Sequence, residues 1–149
     1  NIIVDRPDLL QRLLQDPGLV ESAIEETLRF DGPVQFLRRR LLKPAVFYGH
    51  KIKVGEVVQV VMGSANRDER NYQDADQFVM DRARNHHHTF GFGIHFCIGA
   101  PLARLEAKIA IKALLGRFRS LQRGHTENER VPSHLLRGFH HLYMTLAES

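Results

Sequence analysis

The sequence has no tryptophan, three tyrosines and a single cysteine among its 149 residues. One cysteine excludes an internal disulfide framework and fits a reducing compartment. No uninterrupted apolar run is long enough to span a bilayer, and no charged segment followed by an apolar one opens the chain as a secretory leader would. The expectation is a cytoplasmic protein, monomeric and without a membrane. The chain begins Asn1-Ile2-Ile3-Val4 with no initiator Met, which suits a trimmed chain or a piece of a longer protein alike. The net charge is +4 with nine histidines taken as neutral, but the 21 basic residues are interleaved with 17 acids. With no Trp and only three Tyr to stack on bases, no nucleic-acid partner is expected. The excess charge reads instead as a docking surface for an acidic partner.

What is present can fill one core: 43% of the residues are hydrophobic and 26% charged. Asp5-Arg6-Pro7 starts a helix with Leu9, Leu10, Leu13 and Leu14 on one side, and Pro17-Gly18 stops it. A second helix runs from about Leu19 to Phe30, with Val20, Ala23, Ile24, Thr27 and Leu28 together, and Gly32-Pro33 closes it. From Val46 to Met62 the period changes to two. Ile52 and Val54 alternate with Lys51 and Lys53, Gly55-Glu56 makes a turn, and Val57 to Met62 is almost wholly apolar, so an edge-like strand and a buried one are expected. Residues 63 to 90 are polar and irregular. A long helix follows from about Ala100 to Leu121, with Pro101 in its first turn and Leu102, Leu105, Ile109 and Ala113 along one stripe. Val131 to Leu146 suggests a strand pair around Gly138. The fold class is mainly α with small β-sheets.

The informative stretch is Phe90-Gly91-Phe92-Gly93-Ile94-His95-Phe96-Cys97-Ile98-Gly99, just before that long helix. Glycines at this density let backbone lie against a flat ligand, because no Cβ intrudes and positive φ is free. Cys97 precedes a helix N-terminus, where orphan N–H groups and the positive dipole end favour a thiolate. Thiolate is the form that binds metal. From the residues alone three readings stand: a functional thiolate, a small buried hydrophobe, or a phosphate cradle.

Phe90, Gly93, His95, Cys97 and Gly99 fill the pattern Phe-x-x-Gly-x-(His or Arg)-x-Cys-x-Gly, and the segment resembles the cysteine signature of cytochromes P450. The continuation Ala100-Pro101-Leu102-Ala103-Arg104-Leu105-Glu106 is similar to the helix start of soluble bacterial members. The resemblance implies the C-terminal haem-binding part of that fold across residues 1–149. It implies haem b (iron protoporphyrin IX) as cofactor, with Cys97 as its axial iron ligand. Phe90, Gly91, Gly93 and Gly99 would lie against the macrocycle, and His95 by a propionate. Glu26-Thr27-Leu28-Arg29 resembles the family's Glu-x-x-Arg pair, which fixes the fold around the haem; read without the family, it is a surface ion pair at i, i+3. The family's third member of that cluster is an arginine where this chain has Gln77, with Arg82 or Arg84 as substitutes. Pro33 to Arg39 resembles the segment crossing the distal side of the haem, so that Val34, Gln35, Phe36 and Leu37 would line the substrate pocket and Arg39 would pair with a propionate. Leu135-Leu136-Arg137-Gly138-Phe139 resembles a hairpin that touches substrate.

Arg104, Lys108 and Lys112 form a basic stripe, either a wet helix face or, as the family implies, the docking face for a ferredoxin or flavodoxin-like electron donor. His86-His87-His88 reads as a solvated loop, since consecutive histidines cannot all face one metal. No Ala-Gly-x-x-Thr element of the family's oxygen-activating helix occurs. The implied activity is a monooxygenase placing one oxygen atom of O2 into a small apolar substrate, with this stretch alone inactive. The alternatives are a peroxide-driven relative, a non-catalytic haem-binding relic, and a basic interaction module without haem.

Overall fold

The structure, a computed structural model, describes residues 1–83 and 85–148. Among the described residues five α-helices lie in chain order: α1 (Ile2–Asp5), α2 (Pro7–Gln15), α3 (Val20–Asp31), α4 (Met62–Ala65) and α5 (Ala100–Arg117). Eight short strands accompany them: β1 (Leu37–Arg40), β2 (Ala45–Phe47), β3 (His50–Ile52), β4 (Val57–Val60), β5 (Phe118–Arg123), β6 (Glu129–Arg130), β7 (Phe139–His141) and β8 (Met144–Glu148). They pair into four antiparallel two-stranded sheets, β1 with β4, β2 with β3, β5 with β8 and β6 with β7. Among the described residues no helix is long and apolar enough to cross a membrane.

The local rules explain most of these boundaries. Pro7 opens α2, where its missing N–H costs nothing. A single 3-10 turn at Pro17–Leu19, with Asp16 accepting from the Gly18 N–H, carries the chain into α3. The β2–β3 hairpin turns at Tyr48 (φ 47°) and Gly49 (φ 82°), the two positive φ values a tight two-residue turn needs. The core gathers Leu9, Leu10 and Leu13 of α2, Val20, Ala23 and Ile24 of α3, Met80, Leu115 of α5 and Leu121 of β5.

Three expectations are corrected. Val57 to Met62 is not a buried strand: β4 pairs with β1 alone, a two-stranded sheet covers little of it, and Val57, Val60 and Val61 stay exposed. The stripe Leu102, Leu105, Ile109, Ala113 does not face the core. These residues are exposed, and α5 packs instead through Ala107, Ile111, Leu114 and Leu115. The helix also ends at Arg117 rather than near Leu121, because the chain turns extended at Phe118 to pair with β8.

Candidate functional site

The loop from Thr89 to Gly99 crosses open surface before α5. Its frame is backbone: the Gly91 N–H donates to the His88 carbonyl (2.8 Å), Phe96 to Gly93 (3.0 Å) and Cys97 to Phe90 (2.9 Å). Gly91 (φ 78°) and Gly93 (φ 70°) hold conformations that cost other residues about 1–2 kcal/mol. A 3-10 turn over Gly93–His95 then presents Cys97, whose carbonyl accepts the Ala100 N–H (3.2 Å) as α5 begins at its cap Gly99. A Cβ on Gly99 would lie 3.8 Å from the Cys97 sulfur.

Cys97 is exposed, so the reading of a small buried hydrophobe falls. Its surroundings are unusual for a water-facing surface: Phe92, Ile94 and Ile98 are 87%, 98% and 100% exposed, and Phe96 about half. Large apolar side chains grouped in water mark a surface meant to be covered. Here they flank one thiol, a side chain that binds soft metals once deprotonated, and a Cβ at Gly93 would project into open space. A flat, mostly apolar macrocycle with a thiolate-seeking metal fits such a platform, with exposed His95 at hand for an anionic edge group.

Of the other cofactor candidates, Phe90 is half-buried. Its ring meets Phe96 (6.4 Å between centroids) and His87 (5.9 Å), and the Arg104 guanidinium lies 4.7 Å above it. Arg39 is exposed on β1 and donates to the Arg38 carbonyl (3.0 Å), with no hydrogen bond to the cysteine loop among the described residues. Val34 bridges Leu136, the Gln35 N–H donates to the Leu135 carbonyl (3.0 Å), and Gln35 Nε2 donates to Gly32. The two segments expected at substrate are therefore neighbours, with Phe36 and Leu37 leading from them into β1.

Glu26 and Arg29 are not a surface pair, since both are buried completely. Arg29 spends all five N–H donors: two on Glu26 (2.8 Å each) and one each on the carbonyls of Asn66, Ala75 and Gln77. Glu26 also accepts the Val79 N–H (2.8 Å), Asn85 Nδ2 (3.0 Å) and Arg82 Nε (3.2 Å). Burial pushes the Glu26 carboxyl up, but Arg29, the Val79 N–H and Arg82 together carry it below the ordinary range. The second cation is thus Arg82. Gln77 contributes only its main-chain carbonyl, and Arg84 lies outside the described residues.

The basic stripe is largely neutralised. Arg104 forms a two-point pair with Glu25 of α3 (2.7 and 2.8 Å), and Lys108 pairs with Glu21. Among the described residues Lys112 makes no ion pair. The histidine run is not wholly solvated either: His86 and His88 are exposed, but the His87 side chain is 2% exposed and meets Glu25 (3.1 Å). Sequence reasoning missed Glu25 and Thr89 altogether, and the tertiary contacts of His87; Asn66 falls in Ala65-Asn66-Arg67-Asp68, a run that resembles a recurring element of the bacterial members. Asn66 donates to Thr89 (2.9 Å) and accepts from the His88 N–H (2.7 Å), anchoring the start of the loop.

Comparison with known proteins places these features in company. The cytochrome P450 family model matches residues 3–139. Cytochrome P450 119 of Sulfolobus acidocaldarius is 41% identical over 148 residues, 98% of this chain and 39% of that protein. A cytochrome P450 of Bacillus subtilis strain 168 is 48% identical over 116 residues, 77% of this chain and 28% of that one. The crystal structure of substrate-free CYP109E1 from Bacillus megaterium superposes with a TM-score of 0.96 at 37% identity, covering 99% of this chain and 39% of that one. The chain spans well under half the length of each.

Proposed function

The chain belongs to the cytochrome P450 family, and on that premise we propose that it carries the C-terminal haem-binding part of a haem-thiolate monooxygenase, with Cys97 as the thiolate that would bind the iron. The observation that carries the reading is the exposed Cys97 centred among exposed Phe92, Ile94 and Ile98 and set directly before α5.

Bound haem supplies the iron at which O2 is activated, and thiolate donation favours cleavage of the O–O bond. The chain's own residues do the rest. Gly91 and Gly93 would keep side chains off the macrocycle, and with it seated Phe92, Ile94, Phe96 and Ile98 would shield the now exposed sulfur from water. His95 and Arg39 are the propionate donors, and Val34 to Leu37 with Leu136 form one wall of an apolar substrate pocket. Electrons come from a ferredoxin or flavodoxin-like donor. With Arg104 and Lys108 paired to α3, Lys112 is left as the cation of that stripe for docking. The oxygen-activating residues have no counterpart in these 149 residues, so the chain alone would turn over no substrate.

The test is the difference spectrum of the haem-supplied, dithionite-reduced protein under carbon monoxide. A red-shifted Soret band that vanishes in Cys97→Ala supports the ligand assignment. A protein that takes up haem and shows that band without Cys97 overturns it. A chain that stays colourless with haem in excess favours a basic interaction module instead.

A further inference from the structure

The segment that leads into the cysteine loop and the helix that leaves it are tied to one carboxylate. Glu25 of α3 accepts both Nε and Nη2 of Arg104, on α5, and meets His87 Nε2 through its second oxygen. His87 Nδ1 lies 3.3 Å from the Thr89 nitrogen and accepts that N–H, so the ring proton sits on Nε2 and is donated to Glu25. Thr89 is the first residue of the loop. Next to it Phe90 packs against the His87 ring and under the Arg104 guanidinium, and the Phe90 carbonyl receives the Cys97 N–H. The path from imidazole to the backbone of the sulfur-bearing residue is thus His87, Thr89, Phe90, Cys97. These contacts lie within the chain, so additional polypeptide can cover them but need not supply them.

We propose that His87, held by Glu25 and Arg104, is a positioning residue for the Cys97 loop, fixing the Thr89 N–H and through Phe90 the backbone that carries the sulfur. The inference rests on Cys97 being the haem ligand, because the loop's position matters to function through that atom.

The arrangement works in one protonation state only. A protonated imidazole carries a proton on Nδ1 as well, and that proton would face the Thr89 N–H, donor against donor. The Thr89 side chain would remain anchored through its bonds to the Leu28 carbonyl and Asn66, so the loop would loosen at its backbone without the fold coming apart. The charged and titratable groups facing His87 are Glu25 from α3, Arg104 from α5 and His88 from its own segment. Burial opposes protonation most strongly, Glu25 favours it, and Arg104 and His88 oppose it, so the ring stays neutral at neutral pH.

The test compares the full chain with His87→Asn and His87→Leu. An asparagine oxygen takes the place of Nδ1 as acceptor and cannot be protonated; leucine fills the space and accepts nothing. Two readouts are followed as pH is lowered through the His87 titration, itself tracked by its ring resonances: the Thr89 amide protection factor, and the Soret band of the reduced carbon monoxide complex. We expect Thr89 protection in the parent to fall by about tenfold or more as His87 gains its proton, with the thiolate-type band declining in step. Both should be flat over that range in His87→Asn and low at every pH in His87→Leu. Thr89 protection that ignores the His87 titration, or His87→Leu that is folded and matches the neutral parent, overturns the proposal. A thiolate band missing from every form, parent included, would count against Cys97 as ligand, and the exchange data would still decide the positioning role by themselves.

Discussion

A buried carboxylate that lacks partners for its lone pairs destabilises a fold by several kcal/mol, and a buried guanidinium does the same. Glu26 and Arg29 escape that cost because Arg29 uses every donor and Glu26 collects Val79, Arg82 and Asn85 besides. Removing either partner strands the other without water. Glu26→Ala and Arg29→Ala should each cost about 3–5 kcal/mol in urea unfolding. Gln77 behaves differently, since its exposed side chain is not what the cluster uses. Gln77→Arg, which restores the residue common in the family, should change stability by less than about 0.5 kcal/mol, because Arg82 already holds the second cationic place. The same chemistry sets the response to acid. Glu25 and Glu26 both sit below the ordinary carboxylate range in the folded chain, Glu25 chiefly through its hydrogen bonds from Arg104. Their contribution is complete above the unfolded carboxylate value and is lost as pH falls through the lower folded value. His87 acts at higher pH: burial depresses its folded pKa, so the unfolded chain binds its proton first. Stability should therefore begin to fall below about pH 6.5, by at most ~1.4 kcal/mol per unit for that one proton. His87→Asn should flatten the upper part of a plot of unfolding free energy against pH and leave the carboxylate part in place.

Between elements, α5 decides most. One side, through Ile111, Leu114 and Leu115, closes the core against α2, α3 and β5; the other exposes Leu102, Leu105 and Ile109 at 58%, 53% and 60%. Leu115→Ala should cost about 2–5 kcal/mol through the cavity it leaves, whereas Ile109→Gln should shift the unfolding midpoint of this chain by no more than about 0.5 kcal/mol. The contrast also shows where sequence reading stops. A helix with apolar residues on both sides carries two candidate stripes, and periodicity alone does not say which one has a neighbour; the stripe beginning at Leu102 was the plausible one and faces open surface. Starts and stops marked by Pro or Gly are local and were legible: Pro7, Pro17, Gly32 and Pro101 mark the ends of α2 and α3 and the beginning of α5 within a residue or so, whereas the end of α5 is set by pairing with β8 and was not. Pairing partners are not local. Nothing in Leu37 to Arg40 announces a strand, because what makes it one is β4, twenty residues on. Burial of polar groups is equally remote. Glu26 and Arg29 have i, i+3 spacing whether water or protein surrounds them, and among three consecutive histidines only tertiary contacts single out His87. The cysteine loop was readable because its requirements lie inside ten residues: glycines with positive φ, a thiol, and a helix beginning at once.

At the scale of the molecule, the apolar side chains of the cysteine loop and the outer stripe of α5 are exposed together, far more than a water-soluble surface of this size needs. A cofactor seated on the loop would cover only the first of these and would itself keep one face in water, since these 149 residues supply residues of one platform and a short stretch at Val34 to Leu37. Haem affinity depends on how much of the macrocycle leaves water. Held by Cys97 and one apolar face, it should therefore be taken up but not retained. The measurable consequence is the rate at which the loaded chain surrenders haem to excess apomyoglobin, followed by the growth of the myoglobin Soret band. Transfer should be complete within minutes and should be faster still for Ile98→Ser and Phe92→Ser, which remove parts of the platform without touching the ligand. A chain that kept its haem for many hours would overturn this reading of a half-covered cofactor.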